Sequence, residues 1–496
     1  MRFSGRAAAR STSNVGACAL LLAALTLTVG GAAACSISST THGATSTTSR
    51  PPPRRDDPQR LLSKQRLLSR ARPSRAQRRS LLKLAATGGA AGADASAEIV
   101  LENSQLKVLL QLKEAWGGVW ANNSNATTAC SEWTGVTCSP KGLVVSLDSS
   151  LVRPDRNFPS PSIPASITGL STLQLLDLTS LNLFGPIPSL ASLTGLMHLA
   201  IAMDGGNGIS HAGTLEGLAW LSSLTNLQTL SLEYLAFLTG ELSSLHFLSH
   251  LRSLHDLKVR RLRNATGEVP RELQYMTSLT SLDLSYLRFA DFPFWVTRLT
   301  NLQYLNLEAD NPHRQGRLLN EDLSQLTALT VLSLFGNNLE GYLPNSWTNL
   351  AHLQVLDLGV NKFEGTIPAT FLSLTGLTSI DLSYNQLSGT IPAFSTSIKS
   401  IFLQSNAFSG PIPPHLPSLP NLSYLQLSHN QFTGAIPSNF TRLTWMNSLN
   451  VPFNNLSSGL DVVAQMTWLN VISINDNNFS GVLPAAFTAI SNLAYL

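Results

Sequence analysis

Three sets of side chains in this 496-residue chain have the types and spacing that chemistry needs. The first is a series of aspartates, Asp148, Asp177, Asp283, Asp357 and Asp381, each following a leucine or isoleucine. On neighbouring strands Asp357 and Asp381 would have Cα atoms about 5 Å apart. That is close to the ~5–5.5 Å between the carboxyl groups of a retaining glycosidase. Such a pair also needs a pocket and one raised pKa, and no residue pattern supplies either, so the aspartates read as a solvent-facing part of a repeat. The second set is His246, His250 and His255. The i,i+4 pair has metal-binding spacing on a helix, but it falls between strands with no third ligand. The third is a basic strand, Lys258, Arg260 and Arg261, framed by Tyr234, Tyr286 and Phe335. Alternation aims Lys258 and Arg260 at one sheet face, where a strip of cations would bind an anion. Glu233 and Asp283 on the flanking strands would pair with the same cations, a contribution of ~0–1 kcal/mol if exposed. No phosphate-binding, nucleophile-elbow, zinc-protease or kinase motif occurs. No catalytic residue, metal or cofactor is therefore assigned, and an enzyme is not expected.

What must position these residues is a repeat. From Leu326 to Pro484 the spacing L-x-x-L-x-x-L-x-L-x-x-N-x-L-x-G-x-I-P recurs, with asparagines at 337, 361, 385, 406, 430, 454 and 477. Their intervals are 24, 24, 21, 24, 24 and 23 residues, a period that marks a stacked repeat. The L-x-L core alternates with period 2 and reads as a short strand. One such strand cannot bury its apolar face, but stacked copies share a continuous core. The asparagine amide both donates and accepts, so it can satisfy backbone groups in its own coil and a neighbour. Gly365 and Gly389 permit tight geometry, and the following Ile-Pro sets an extended path on the far side.

These residues identify leucine-rich repeats, and N-x-L-x-G-x-I-P resembles the plant-type subfamily of receptor-like kinases, receptor-like proteins and polygalacturonase-inhibiting proteins. The resemblance implies an α/β repeat solenoid, a right-handed superhelix with a parallel β-sheet on its concave face. Repeats anchor at Leu173, Leu196, Leu227, Leu254, Leu279, Leu302, Leu329, Leu353, Leu377, Ile398, Leu422, Met446, Leu469 and Leu493. Up to Leu329 the spacing is irregular: 23, 31, 27, 25, 23 and 27. There the asparagine position holds Leu181, Asp204, Leu235, Leu262, Leu287 and Asp310, with insertions near Asp204–Gly213 and Asn311–Leu319.

Residues 98–142 resemble the N-terminal cap of this family. A helix is expected over Glu98–Trp116, with Leu106, Leu109, Leu110 and Leu112 on its apolar face. Cys130, Trp133, Gly135, Val136 and Cys138 then follow in C-x-x-W-x-G-V-x-C. Trp116, Trp120 and Trp133 would cover the exposed edge of the first coil, as terminal units of a solenoid must. A Cys130–Cys138 disulfide suits such a cap in an exported protein, and two cysteines do not make a zinc site.

The first hundred residues hold 15 Lys+Arg against 4 Asp+Glu, whereas the remainder holds 18 against 25. The overall charge of +4 therefore hides a mildly acidic repeat region, which argues against nucleic-acid binding. Arg2, Arg6 and Arg10, an apolar run over Val15–Val29 and Ala32–Ala34 make residues 1–34 a secretory signal, or a retained membrane anchor. Cys18 and Cys35 fall in or beside it. Residues 35–97 read as a disordered Ser/Thr-rich and then basic linker or pro-segment. Arg78-Arg79 within it gives a twin-arginine alternative, with an organelle lumen as destination. Sequons stand at Asn122, Asn125, Asn264, Asn421, Asn439, Asn455 and Asn478.

The expected protein is thus a secreted or cell-surface glycoprotein whose solenoid, residues 143–496, binds a peptide, a protein or an acidic cell-wall glycan through its concave face. The family implies a receptor-like or enzyme-inhibitor role, with a co-receptor as a further partner. The alternative is the ectodomain of a receptor kinase, because the sequence stops inside a repeat at Leu493–Leu496. In that case membrane and kinase parts follow. The irregular half, Leu196 to Leu329, is the expected ligand site, since departures from the period re-aim side chains and loops carry function.

Overall fold

A computed structural model describes residues 103–116, 129–151, 162–203 apart from 182 and 184, 213–309 apart from 236, 316–317, and 323–490. The signal and linker segments, Trp120, Asn122, Asn125, Asp204, Asp310 and the last anchor, Leu493, lie outside these residues.

The strands expected at each L-x-L core form one fifteen-stranded sheet. Its first strand, Val136–Cys138, runs antiparallel to Val144–Asp148. Every later strand is parallel to its neighbour, one per coil, ending at Val471–Ser473. Register is kept residue for residue, so Leu332, Leu356, Ile380, Ile401, Leu425, Leu449 and Ile472 form a single inward row. All seven are at most 1% exposed. Truncating one to alanine should cost ~2–5 kcal/mol, because both adjacent coils lose contacts.

Each buried asparagine ties two coils together. Asn361 donates through Nδ2 to the carbonyls of Leu358 in its own coil and Leu334 in the preceding one, both at 2.9 Å. Its Oδ1 accepts from the Leu339 N–H at 2.9 Å. Asn385 repeats the pattern with Leu358, Leu382 and Phe363. In the irregular half Leu181, Leu235, Leu262 and Leu287 fill the same place as apolar plugs, at most 2% exposed. The chain closes its turn there by local bonds instead, as from Leu238 N–H to the Leu235 carbonyl at 3.1 Å.

A second strand layer runs along the flank, where the sequence pattern pointed only to glycine turns. It comprises a four-stranded sheet from Gly213–Thr214 to Arg288–Phe289 and a seven-stranded one from Gly316–Arg317 to Asn455–Ser458. Gly365 shows why glycine is needed: its φ is +76°, and a Cβ would sit 2.6 Å from the Tyr342 ring. The Ile-Pro steps do run extended, but each proline then starts a short 3-10 turn. Pro344, Pro368, Pro437 and Pro484 are all N-caps of such turns.

The cap helix is described over Asn103–Ala115. Its buried face is Gln105, Val108, Leu109 and Leu112, and Leu110 is 43% exposed, so Val108 takes the place expected of Leu110. The spacing i, i+3, i+4, i+7 makes the reason plain. Gln105 accepts from the Val144 N–H at 2.6 Å and donates to Thr172 Oγ1 at 3.0 Å, binding the helix to the first coils. Trp116 and Trp133 are buried. Cys130 and Cys138 form the expected disulfide, with Cα atoms 5.5 Å apart.

Candidate functional site

Parallel pairing brings the basic strand, Asp256–Arg260, between Thr229–Glu233 and Ser281–Asp283. Register sets Lys258 beside Ser231 and Asp283, and Arg260 beside Glu233. Both side chains point to the concave face, as alternation requires, and both are already matched by carboxylates. Lys258 Nζ lies 2.6 Å from Asp256 Oδ2, with each side chain about a tenth exposed. Asp256 Oδ1 in turn accepts from Ser281 Oγ at 2.9 Å. Arg260 forms a fork: Nη2 pairs with Glu233 and Nη1 with Asp283 Oδ2 at 3.4 Å. Burial pulls the Arg260 pKa down, but the charges of Asp283 and Glu233 outweigh it and hold the guanidinium above its ordinary value.

Arg261 is built differently. It belongs to the position just before the repeat asparagine, where the chain leaves the strand and turns to the flank. Its φ is +58°, and Tyr234 and Tyr286 in the adjoining coils have φ of +61° and +59°. Non-glycine residues rarely adopt this left-handed conformation, which costs ~1–2 kcal/mol per residue. The inter-coil ladder helps to hold them: Tyr234 N–H donates to the Arg260 carbonyl, Arg261 N–H to Ser285, and Tyr286 N–H to Glu308. The result is a stack on the rim of the concave face. The guanidinium carbon of Arg261 lies 4.8 Å from the Tyr234 ring centre and 4.5 Å from that of Tyr286. The Tyr286 hydroxyl donates to Glu308 Oε1 at 2.9 Å. Phe335 stands on the concave face two coils further along, its carbonyl accepting from Ala309 N–H.

The rim row continues through the regular half, where sequence reasoning did not look. Val360, Tyr384, Ser405, His429, Phe453 and Asp476 all have positive φ. His429 and Phe453 stack with ring centres 4.2 Å apart and planes 11° from parallel. The signal was present: tyrosine, histidine and phenylalanine immediately before the repeat asparagine, where the backbone favours glycine.

The remaining candidates have structural partners. Of the aspartates expected to face water, Asp148 and Asp177 are half-buried, whereas three are buried on the concave side: Asp283, Asp357 and Asp381, at 0%, 3% and 5% exposure. Each of these three accepts a backbone N–H two residues on, from Ser285, Gly359 and Ser383, and so shapes the exit from its strand. His246 and His250 lie in the 3-10 helix Leu242–His250, where their Nδ1 atoms face the carbonyls of Ser243 and Phe247. Among the described residues no group of three or more His, Cys, Asp or Glu could hold a metal. On the same face Tyr304, Val331 and Val355 form a small apolar cluster of their own. Of the described sequons, Asn264, Asn421, Asn455 and Asn478 are exposed and Asn439 is half-buried. None lies in a strand of the concave sheet. Among the described residues no helix is long and apolar enough to cross a membrane.

Family models described as leucine-rich repeat match residues 327–387 and 421–443. Receptor-like protein 6 of Arabidopsis thaliana is 28% identical over 258 residues, covering 47% of this chain and 23% of that protein. The crystal structure of PEPR1-AtPEP1 superposes with a TM-score of 0.59 at 29% identity, over 80% of this chain and 55% of that one. The Arabidopsis receptor kinase HAESA, in complex with the peptide hormone IDA and the co-receptor SERK1, gives 0.58 at 24% identity, over 80% and 69%. This last likeness is one of fold. The chain thus spans about a quarter of the curated relative and about half of the PEPR1 chain.

Proposed function

We propose that this chain, a leucine-rich-repeat protein similar to plant receptor ectodomains, is an extracellular recognition module that binds a peptide on its concave sheet and rim. The observation that carries the reading is the composition of that surface. Between Thr229–Glu233 and Ser379–Asp381 it presents carboxylates, the two carboxylate-paired cations Lys258 and Arg260, the apolar cluster Tyr304–Val331–Val355 and the tyrosine-stacked Arg261. A surface with both charge signs and an apolar patch suits a peptide with mixed side chains. Every described sequon lies outside the concave strands, so glycans attached there would leave this face open. A binding role requires no catalytic group, and a co-receptor would join at a further surface. Secretion, glycosylation and attachment to a membrane through a further segment belong to the same reading.

The test is capture of random dodecapeptides from an immobilised array. Ser231→Arg and Phe335→Arg place bulky cations on half-exposed concave positions. Lys362→Glu changes the flank at an exposed position. Loss of capture in the concave variants, with retention in Lys362→Glu, supports the reading. Equal capture in all three would place binding elsewhere.

A further inference from the structure

We infer that Arg261, held between Tyr234 and Tyr286, is a receptor for an oxyanion, a carboxylate or sulfate group carried by the ligand. The inference rests on the reading that the concave sheet and its rim take a ligand, and it specifies which group on that ligand is recognised and where.

Three cations lie within four residues, and the structure separates them. Lys258 is matched by Asp256, and Arg260 by Glu233 and Asp283. Neither offers an uncompensated charge to a ligand. Arg261 has only its backbone bond to Ser285 and the two ring contacts. Among the described residues its guanidinium has no ion pair and no hydrogen-bond acceptor. Tyrosine faces attract the cation electrostatically, but they satisfy none of its five N–H donors.

Geometry narrows the ligand. With a ring against the guanidinium from each adjoining coil, the open direction is its edge. That edge is a planar fork of N–H groups, which matches two oxygens of a carboxylate or sulfate. Three successive coils carry non-glycine residues in the left-handed conformation to build this stack. At the equivalent position further along, the chain has Gly336, Val360, Tyr384, Ser405, His429, Phe453 and Asp476, none of them an arginine or lysine. Glu308, in the coil beyond Tyr286, accepts from the Tyr286 hydroxyl and is 6% exposed. It sits on the side of Tyr286 away from Arg261 and opposes the incoming anion at longer range.

The experiment uses an arginine-selective dicarbonyl, phenylglyoxal, on the whole chain, with modification read by peptide mass spectrometry. Probes are N-acetylglycine for carboxylate, O-sulfotyrosine amide for sulfate and N-acetylglycinamide as the neutral control, at constant ionic strength. Either anion should slow modification of Arg261 several-fold, the neutral amide should not, and Arg271, 84% exposed in its side chain, should be unaffected. The anion that protects at the lower concentration identifies the source. Tyr234→Ala/Tyr286→Ala should abolish protection while leaving Arg261 reactive. Equal rates with and without anions overturn the inference, and so does an Arg261 that never reacts, since its fork is then not open. Peptide capture that persists in Arg261→Gln while anions give no protection would remove this inference and leave the proposed function standing.

Discussion

Asn361 donates its side-chain amide to the Leu334 carbonyl one coil below, at 2.9 Å, and the same side chain accepts from Leu339 N–H of that coil. One 6%-exposed amide thereby closes the turn of two successive repeats. Asn361→Ala should leave buried carbonyls and an N–H unpaired, each costing ~1–3 kcal/mol. Because repeat arrays need not unfold as one unit, the check is hydrogen exchange. Leu339 N–H should exchange much faster in the variant, while amides near Asn430 stay protected.

The repeat was legible because its asparagines recur at a fixed interval and its leucines alternate; both patterns are set by backbone geometry that every coil shares. The cap cysteines were legible for the same reason, as a spacing. Three things were not. The flank strands are two to five residues long, too short for alternation to stand out, as in Lys362–Gly365, where Phe363 alone is buried. The burial of Asp357 and Asp381 follows from the side chains that neighbouring coils set beside them in register, Ser333 on one side and Phe402 on the other, and nothing in the local triplet encodes those neighbours. The distinction between Arg260 and Arg261 depends on which carboxylates the neighbouring coils bring within reach, a matter of register between residues 23–27 apart.

That register makes Arg260 a stability residue. Its fork lies between Glu233 and the fully buried Asp283. Arg260→Met should destabilise by ~3–5 kcal/mol, because it leaves buried carboxylates without their cation. Adding Glu233→Gln and Asp283→Asn to it should recover much of that loss. Thermal unfolding of the single and triple variants checks this: a single variant as stable as the parent would mean that the pairing contributes little.

His429 gives the solenoid a pH dependence of known sign. Partial burial, one ring face covered by Phe453, lowers its pKa below 6.5, and Asp476 opposes that shift without cancelling it. A lowered pKa means that the unfolded chain binds the proton more readily, so this site favours the fold at high pH. The contribution is complete above about 6.5 and is lost progressively as pH falls through the ordinary imidazole range toward the folded value. His429→Gln should flatten the stability profile between roughly pH 7 and 5. Asp476→Asn should steepen it, since the opposing charge is gone. Identical profiles for the parent and both variants would show that the ring is solvated as freely in the fold as out of it.

The cap offers a test of how the solenoid's first edge is protected. The 15-stranded sheet begins at Val136–Cys138, an antiparallel strand that ends on the disulfide. Reducing Cys130–Cys138, separated by eight residues, should free a loop whose closure contributes ~2–3 kcal/mol in the chain-entropy account. The loss should stay local. Gln105 still holds Val144 N–H, and the later coils carry their own asparagine ties. Cys130→Ser/Cys138→Ser should therefore raise exchange at Val136–Leu147 and expose Trp133 to a soluble fluorescence quencher. The amides of Leu356 and Ile380 should keep their protection. If those distant amides also lost protection, the cap would be setting the stability of the whole stack, and the nearest-neighbour description of this solenoid would fail.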